Sequence, residues 1–241
     1  YNSHTLTCTI ATLIISGNLA VKSYNSGLNF RNGVFNLASG IATVEGSVTT
    51  ANANVLNSST FSMATGVESG TLILSGTTPF NLSGTGINTL HLDGASSLVN
   101  YNYSGAQTAY GTPYTNLTLA GSGAKTVTGV TVNGILSMEG TSTAAGTAPT
   151  FGTAAVLQYK GSASQTTGIE FPATFTSSGG VVIDNANGVT LNSNRTINVS
   201  LTFNNGIITT GANTLILASG TNVIGAGTGK YIFGNLQKGI G

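Results

Sequence analysis

Apolar residues in this chain recur at every second position in short runs, and small polar or glycine-rich breaks separate the runs. Gly33-Val34-Phe35-Asn36-Leu37, Thr71-Leu72-Ile73-Leu74 and Asn88-Thr89-Leu90-His91-Leu92 set the pattern in the first half. Asn116-Leu117-Thr118-Leu119, Val181-Val182-Ile183, Thr196-Ile197-Asn198-Val199 and Thr214-Leu215-Ile216-Leu217 carry it through the second. A period of two is that of a strand with one buried face. Branching at Cβ in Thr, Val and Ile suits the same pleated surface. The breaks, such as Ser75-Gly76, Asp93-Gly94, Asn187-Gly188 and Asn205-Gly206, combine a residue that tolerates positive φ with one that bonds locally to its own backbone. No stretch shows a capped apolar stripe of period 3.6, so the pattern predicts an all-β chain. Residues 142–148 contain helix-compatible Ala, but Gly146 and Pro149 interrupt them. An irregular corner excursion is expected over 142–154.

Loose internal echoes add topology to this list of strands. Leu98-Val99-Asn100-Tyr101 returns as Val156-Leu157-Gln158-Tyr159, and Gln107-Thr108 returns as Gln165-Thr166 at the same offset of 58. Thr131-Val132-Asn133 returns as Thr196-Ile197-Asn198, and Leu136 and Met138 as Leu201 and Phe203, now at an offset of 65. A third echo joins Thr71-Leu72-Ile73-Leu74 to Thr214-Leu215-Ile216-Leu217. Degenerate repetition of this kind fits coils that each bury apolar side chains against the next. The expected fold is one continuous parallel β-solenoid, or β-helix, over 1–241. Residues 1–30 form an N-terminal edge or cap, and 230–241 a C-terminal edge or junction. Coils of roughly 18–30 residues stacked about 4.8 Å apart would make a body some 50 Å long. Tandem antiparallel β-sandwiches are the structural alternative, because Asn-Gly and Asp-Gly also favour hairpins.

Composition sharpens the picture. Of 241 residues, 40% are hydrophobic, which suits a packed core, but only 5% are charged and 34 are glycine. A globular domain usually carries about 25% charged residues. Here Thr, Ser and Asn fill the polar positions, and such short side chains stack in successive layers without like-charge repulsion. The seven Lys and Arg stand apart along the chain and the formal net charge is +1, so no basic cluster points to nucleic acid. Cys8 is the sole cysteine, which excludes an intramolecular disulfide. With Leu6 and Ile10 at alternate positions it reads as a small buried hydrophobe on a strand. The apolar run from Ile10 to Ile15 is too short to span a bilayer. No transmembrane helix is expected.

The C-terminal third is the most distinctive. Gly188-Val189-Thr190-Leu191 leads through Thr196-Ile197-Asn198-Val199 and Leu201-Thr202-Phe203 to Gly206-Ile207-Ile208-Thr209-Thr210. Gly211-Ala212-Asn213-Thr214-Leu215-Ile216-Leu217 follows, and then Tyr231-Ile232-Phe233-Gly234-Asn235-Leu236-Gln237-Lys238. This resembles the repetitive, secreted β-solenoid regions of large bacterial surface and adhesin proteins, of the Bacteroidetes type. The resemblance implies a secreted or cell-surface location and a role as stalk, adhesin or fibre.

Candidate chemistry is sparse. The carboxylates Glu45, Glu68, Asp93, Glu139, Glu170 and Asp184 stand alone in sequence, whereas glycoside hydrolysis needs a pair facing a sugar cleft. Neither His4 nor His91 has ligand neighbours at metal-binding spacing. Asp184-Asn185-Ala186-Asn187-Gly188 is rich in oxygen donors but lacks the distal Glu of a calcium loop. It reads as an Asn/Gly corner. No catalytic, metal or cofactor site is expected. The richest aromatic group is Tyr101, Tyr103, Tyr110 and Tyr114, followed by Tyr159. These tyrosines would either pack in the core or form a ligand- or subunit-contact patch. The leading functional expectation is an extracellular structural stalk or fibre subunit that assembles end to end with copies of itself or with adjacent domains. The alternatives are an adhesin module binding surface glycans and, with least support, a polysaccharide-active enzyme.

Overall fold

The computed structural model describes residues 2–8, 12–22, 24–26, 29–52, 58–63 and 69–240. The chain is all-β, with no helix among the described residues and almost all strand pairs parallel. Strands Tyr24–Ser26 and Asn29–Leu37 form the exception, an antiparallel pair. Contacts divide the chain into two compact units, one of Tyr1–Tyr103 with Pro113–Asn116 and one of Ser104–Thr112 with Leu117–Gly241.

In the first unit three stacks of parallel strands repeat along the sequence. One stack holds Asn2–Cys8, Asn29–Leu37, Ser58–Ser62 and Ile87–His91. A second holds Thr12–Ile15, Ile41–Val44, Thr71–Leu74 and Leu98–Tyr101. The third holds Leu19–Lys22, Val48–Asn52 and Phe80–Gly84. Thr12 lies opposite Ile41, and Ile41 opposite Thr71. Equivalent positions therefore recur at steps of 29 and 30 residues. The alternation read from sequence becomes columns through the core: Leu13 under Ala42, Leu72 and Val99, and Ile15 under Val44, Leu74 and Tyr101. The inner members of both columns are fully buried. Phe35 meets Phe61 in register, their rings stacked with centroids 5.4 Å apart and 14° between planes.

The second unit has shorter steps. Leu117 lies opposite Leu136, followed in order by Leu157, Val181, Leu201 and Val223. These are intervals of 19, 21, 24, 20 and 22 residues. The 65-residue echo is thereby explained, because Leu136 to Leu201 is three steps of one stack. Met138, Tyr159, Ile183 and Phe203 form the neighbouring column at the same offset. A second set of strands, Gln165–Thr166, Val189–Thr190, Ile208–Leu217 and Ile232–Lys238, stacks in parallel beside it. The echo between Thr71-Leu72-Ile73-Leu74 and Thr214-Leu215-Ile216-Leu217 joins strands of different sheets, so it reports a shared burial rhythm and not a shared position.

One expectation needs correction. The excursion foreseen over 142–154 begins later, because residues 142–145 complete the strand Ile135–Ala145 and pair with Ser122–Thr126. Propensity is weak there, and pairing with an equally small-residue strand overrides it. Residues 146–149 make the turn, and Thr150–Phe151 resumes pairing with Thr131–Val132.

Candidate functional site

The predicted tyrosine group separates into core and surface. Tyr101 and Tyr114 are fully buried, with their hydroxyls 2.8 Å apart and their rings edge to face at 6.4 Å. Phe80 packs edge-on against Tyr101 at 6.4 Å. Rings so enclosed present no face to a sugar. Tyr103 and Tyr110 are half-buried. Glu68 lies outside the described residues, and Cys8 is described only as the last residue of the strand Asn2–Cys8, so its expected burial lies outside what is described. His91 is exposed at the end of its strand.

Tyr159, the echo of Tyr101, occupies a different environment. Its hydroxyl donates to Glu170 Oε1 at 2.7 Å, and the Gly168 N–H donates to the same oxygen at 2.6 Å. Both side chains are buried. Burial pushes the Tyr159 phenol well above its usual range, the Glu170 charge and hydrogen bond push it further, and Arg195 opposes them. Arg195 is itself buried, with Nη2 donating to Asn192 Oδ1 at 2.7 Å and to the Gly168 carbonyl at 3.1 Å. Its guanidinium lies 5.6 Å from the Phe171 ring centroid, within cation–π range. Stacking of parallel strands gathers this cluster from residues that stand alone in sequence.

Next to the cluster opens a cleft of about 420 Å³, bounded by Thr141, Ser142, Thr143, Gln165, Thr166 and Thr167 with Met138, Tyr159, Glu170 and Asn192. Glu170 supplies its one carboxylate. Hydroxyls and amides make up most of the remaining polar lining. That composition can orient a small hydrogen-bonding ligand. The pairing of an acid with a second carboxylate that glycoside hydrolysis uses does not occur in this lining.

Two further polar residues are buried for structural reasons. Lys125 is fully enclosed within the strand Ser122–Thr126, and its Nζ donates to the Gly105 carbonyl at 2.7 Å. Burial lowers its pKa to about 8. Asn185, from the oxygen-rich corner, donates through Nδ2 to the Ala163 carbonyl and Gln165 Oε1 and accepts from the Asn187 N–H at Oδ1. Its side chain ties the segment 185–187 to residues 163–165. Among the described residues no group of three or more His, Cys, Asp or Glu could hold a metal ion, and no helix is long and apolar enough to cross a membrane.

The last strands of the second unit differ from those inside it. Val223 continues the column of Leu201 and Leu236 that of Leu215, yet they are 41% and 49% exposed where the inner residues are fully buried. Ile224, Tyr231 and Phe233 are exposed beside them. Core positions are thus uncovered along a parallel edge. Lys125 could not be singled out from local sequence, whereas Tyr159 was, through its place after the tyrosine group and as the 58-residue echo of Tyr101. No protein-family model, curated protein or solved structure matches the chain.

Proposed function

We propose that the chain is a passive, non-catalytic rod segment, a single parallel β-solenoid serving as an extracellular stalk or fibre subunit. The supporting observation is the run of in-register, uncharged columns that ends on uncovered core positions at Val223 and Leu236. Each coil hydrogen-bonds to the next along its strands, so load along the stack is shared among many parallel bonds. Small polar side chains repeat on the outer positions without accumulating charge. An edge of this kind takes a further parallel coil, because only that covers the apolar column and satisfies the open backbone groups together. The coil comes from a second copy or from a neighbouring domain. The low charge content and the resemblance to secreted surface proteins support a location outside the cell.

Negative-stain electron microscopy of the purified protein tests assembly. Filaments are expected, and Leu236→Lys combined with Val223→Lys should abolish them while the circular dichroism of the strands is kept. Particles that stay monomeric over a wide concentration range would refute self-assembly. Filaments unaffected by the double substitution would move the contact elsewhere.

A further inference from the structure

The cleft beside Glu170 lies where two neighbouring coils part. Strands Ile135–Ala145 and Val156–Gly161 run in register as far as Gly140 and Gly161, and the Ser162 N–H still reaches the Gly140 carbonyl. Beyond that point the lower strand continues through residues 141–145, whose ladder partner is Ser122–Thr126. The upper chain turns and starts Gln165–Thr166, which pairs with Val189–Thr190. Neither strand pairs with the other. The fork is pinned at its closed end by Gln165, which donates through Nε2 to the Met138 carbonyl and accepts from the Gly161 N–H.

Side chains of consecutive strand residues point to opposite faces, so a cavity touched by several in a row runs along an edge, not across a face. Thr141, Ser142 and Thr143 line one side of this cleft, and Ser164, Gln165, Thr166 and Thr167 the other. In a parallel ladder, alternate residues aim both backbone groups at the same neighbour. The Thr141 N–H bonds to Gly121, and the Ala145 carbonyl accepts from Val127. By alternation Ser142 aims its N–H and C=O groups into the cleft, and Ala144, just beyond the lining, aims its own along the same open edge. On the upper side the Gln165 and Thr167 N–H groups bond to Gly188 and Thr190, which leaves Thr166 facing downward. The cleft is a slot between two open strand edges, with Met138, Tyr159 and Glu170 at its floor.

We infer that this slot binds a short extended peptide of a partner protein, inserted as an extra strand that pairs with both edges and places a lysine over Glu170. Main-chain groups on two sides supply the affinity, as in strand addition to a sheet edge. At about 3.3 Å per residue, three paired residues span roughly 10 Å of edge. The side chain that points to the floor meets the one carboxylate in the lining. Of its oxygens, Oε1 already accepts from Tyr159 and Gly168, so Oε2 is the acceptor for an incoming ammonium group.

The test uses the intact chain and the capped pentapeptide Thr-Val-Lys-Val-Thr. Amide hydrogen exchange read by NMR should show Ser142, Ala144 and Thr166 exchanging fast in the free protein. Saturating peptide should slow each by about tenfold or more, while Thr143 and Thr167, already in ladders, change little. A peptide N-methylated at its central residues should bind at least about tenfold more weakly. Ala144→Pro removes a donor from the open edge that continues the slot without touching the inner ladder, and it should weaken binding to a similar degree. Glu170→Gln should erase the preference for lysine over leucine at the central position. If Ala144→Pro fails to fold, the N-methylated peptide and the wild-type protein still decide the matter. No saturable binding, equal binding of the N-methylated peptide, or protection by a neutral oligosaccharide in its place would overturn the inference.

Discussion

Lys125 offers a quantitative handle on the interior of the second unit. Its side chain is fully enclosed, and its pKa is lowered from 10.5 to about 8. The sign follows from proton counts. Between the folded and unfolded pKa values the unfolded chain holds a proton that the folded chain has released, so stability rises with pH through that window. Below about pH 8 both states are protonated, and the folded protein carries the full cost of a buried ammonium. At about 1.4 kcal/mol per pKa unit, the drop from 10.5 to about 8 corresponds to a cost of about 3.5 kcal/mol. Raising the pH from 8 to about 9.5 should therefore recover roughly 1.5–2 kcal/mol. Urea denaturation followed by far-UV circular dichroism, repeated at half-unit steps of pH, measures it. Lys125→Met is the control, because it keeps the volume and removes the titration. The difference in unfolding free energy between wild type and variant should shift in favour of wild type by that amount across the window. Parallel pH dependences, or a wild type that weakens relative to Lys125→Met, would refute both the burial and its electrostatic reading.

Three other expectations concern the stacking itself. Gly206 has φ of +78°, and a Cβ there would be driven into the Asn185 carbonyl. Gly206→Ala should cost more than about 2 kcal/mol in a denaturation series, whereas Gly211→Ala, at φ +60° in open space, should cost only the backbone penalty of about 1–2 kcal/mol. Leu157→Ala empties a fully buried place between Leu136 and Val181 and should lower stability by roughly 2–5 kcal/mol, seen as an earlier denaturation midpoint. Tyr159→Phe removes the hydroxyl that donates to Glu170; a loss of roughly 1–3 kcal/mol is expected, and ultraviolet titration should show one fewer phenol resisting ionisation at high pH.

The strands were legible because their rhythm is local. Period-two alternation in Thr71-Leu72-Ile73-Leu74 or Ser200–Asn205 is written in adjacent residues, and inward and outward positions follow directly. The offset of 65 was legible as repetition, and the stack explains it as three strand-to-strand steps of unequal length. Residues 142–145 were misread because small residues have weak preferences and their partner lies nearly 20 positions earlier. The polar interior was not legible. Glu170 looks like a solitary turn carboxylate, and only coil stacking brings the Tyr159 hydroxyl to it. Lys125 looks like any isolated surface lysine in a chain with few charges. The slot was hidden for the same reason, since it is defined by where neighbouring coils stop pairing and not by any motif.

The in-register parallel columns are best tested by methyl–methyl NOE spectroscopy on protein labelled at Leu, Ile and Val. Cross-peaks should connect Leu136 to Leu157, Leu157 to Val181 and Val181 to Leu201 in succession. A network in which these methyl groups instead face the adjacent strand of a hairpin, with Leu136 and Leu157 unconnected, would contradict the parallel stack.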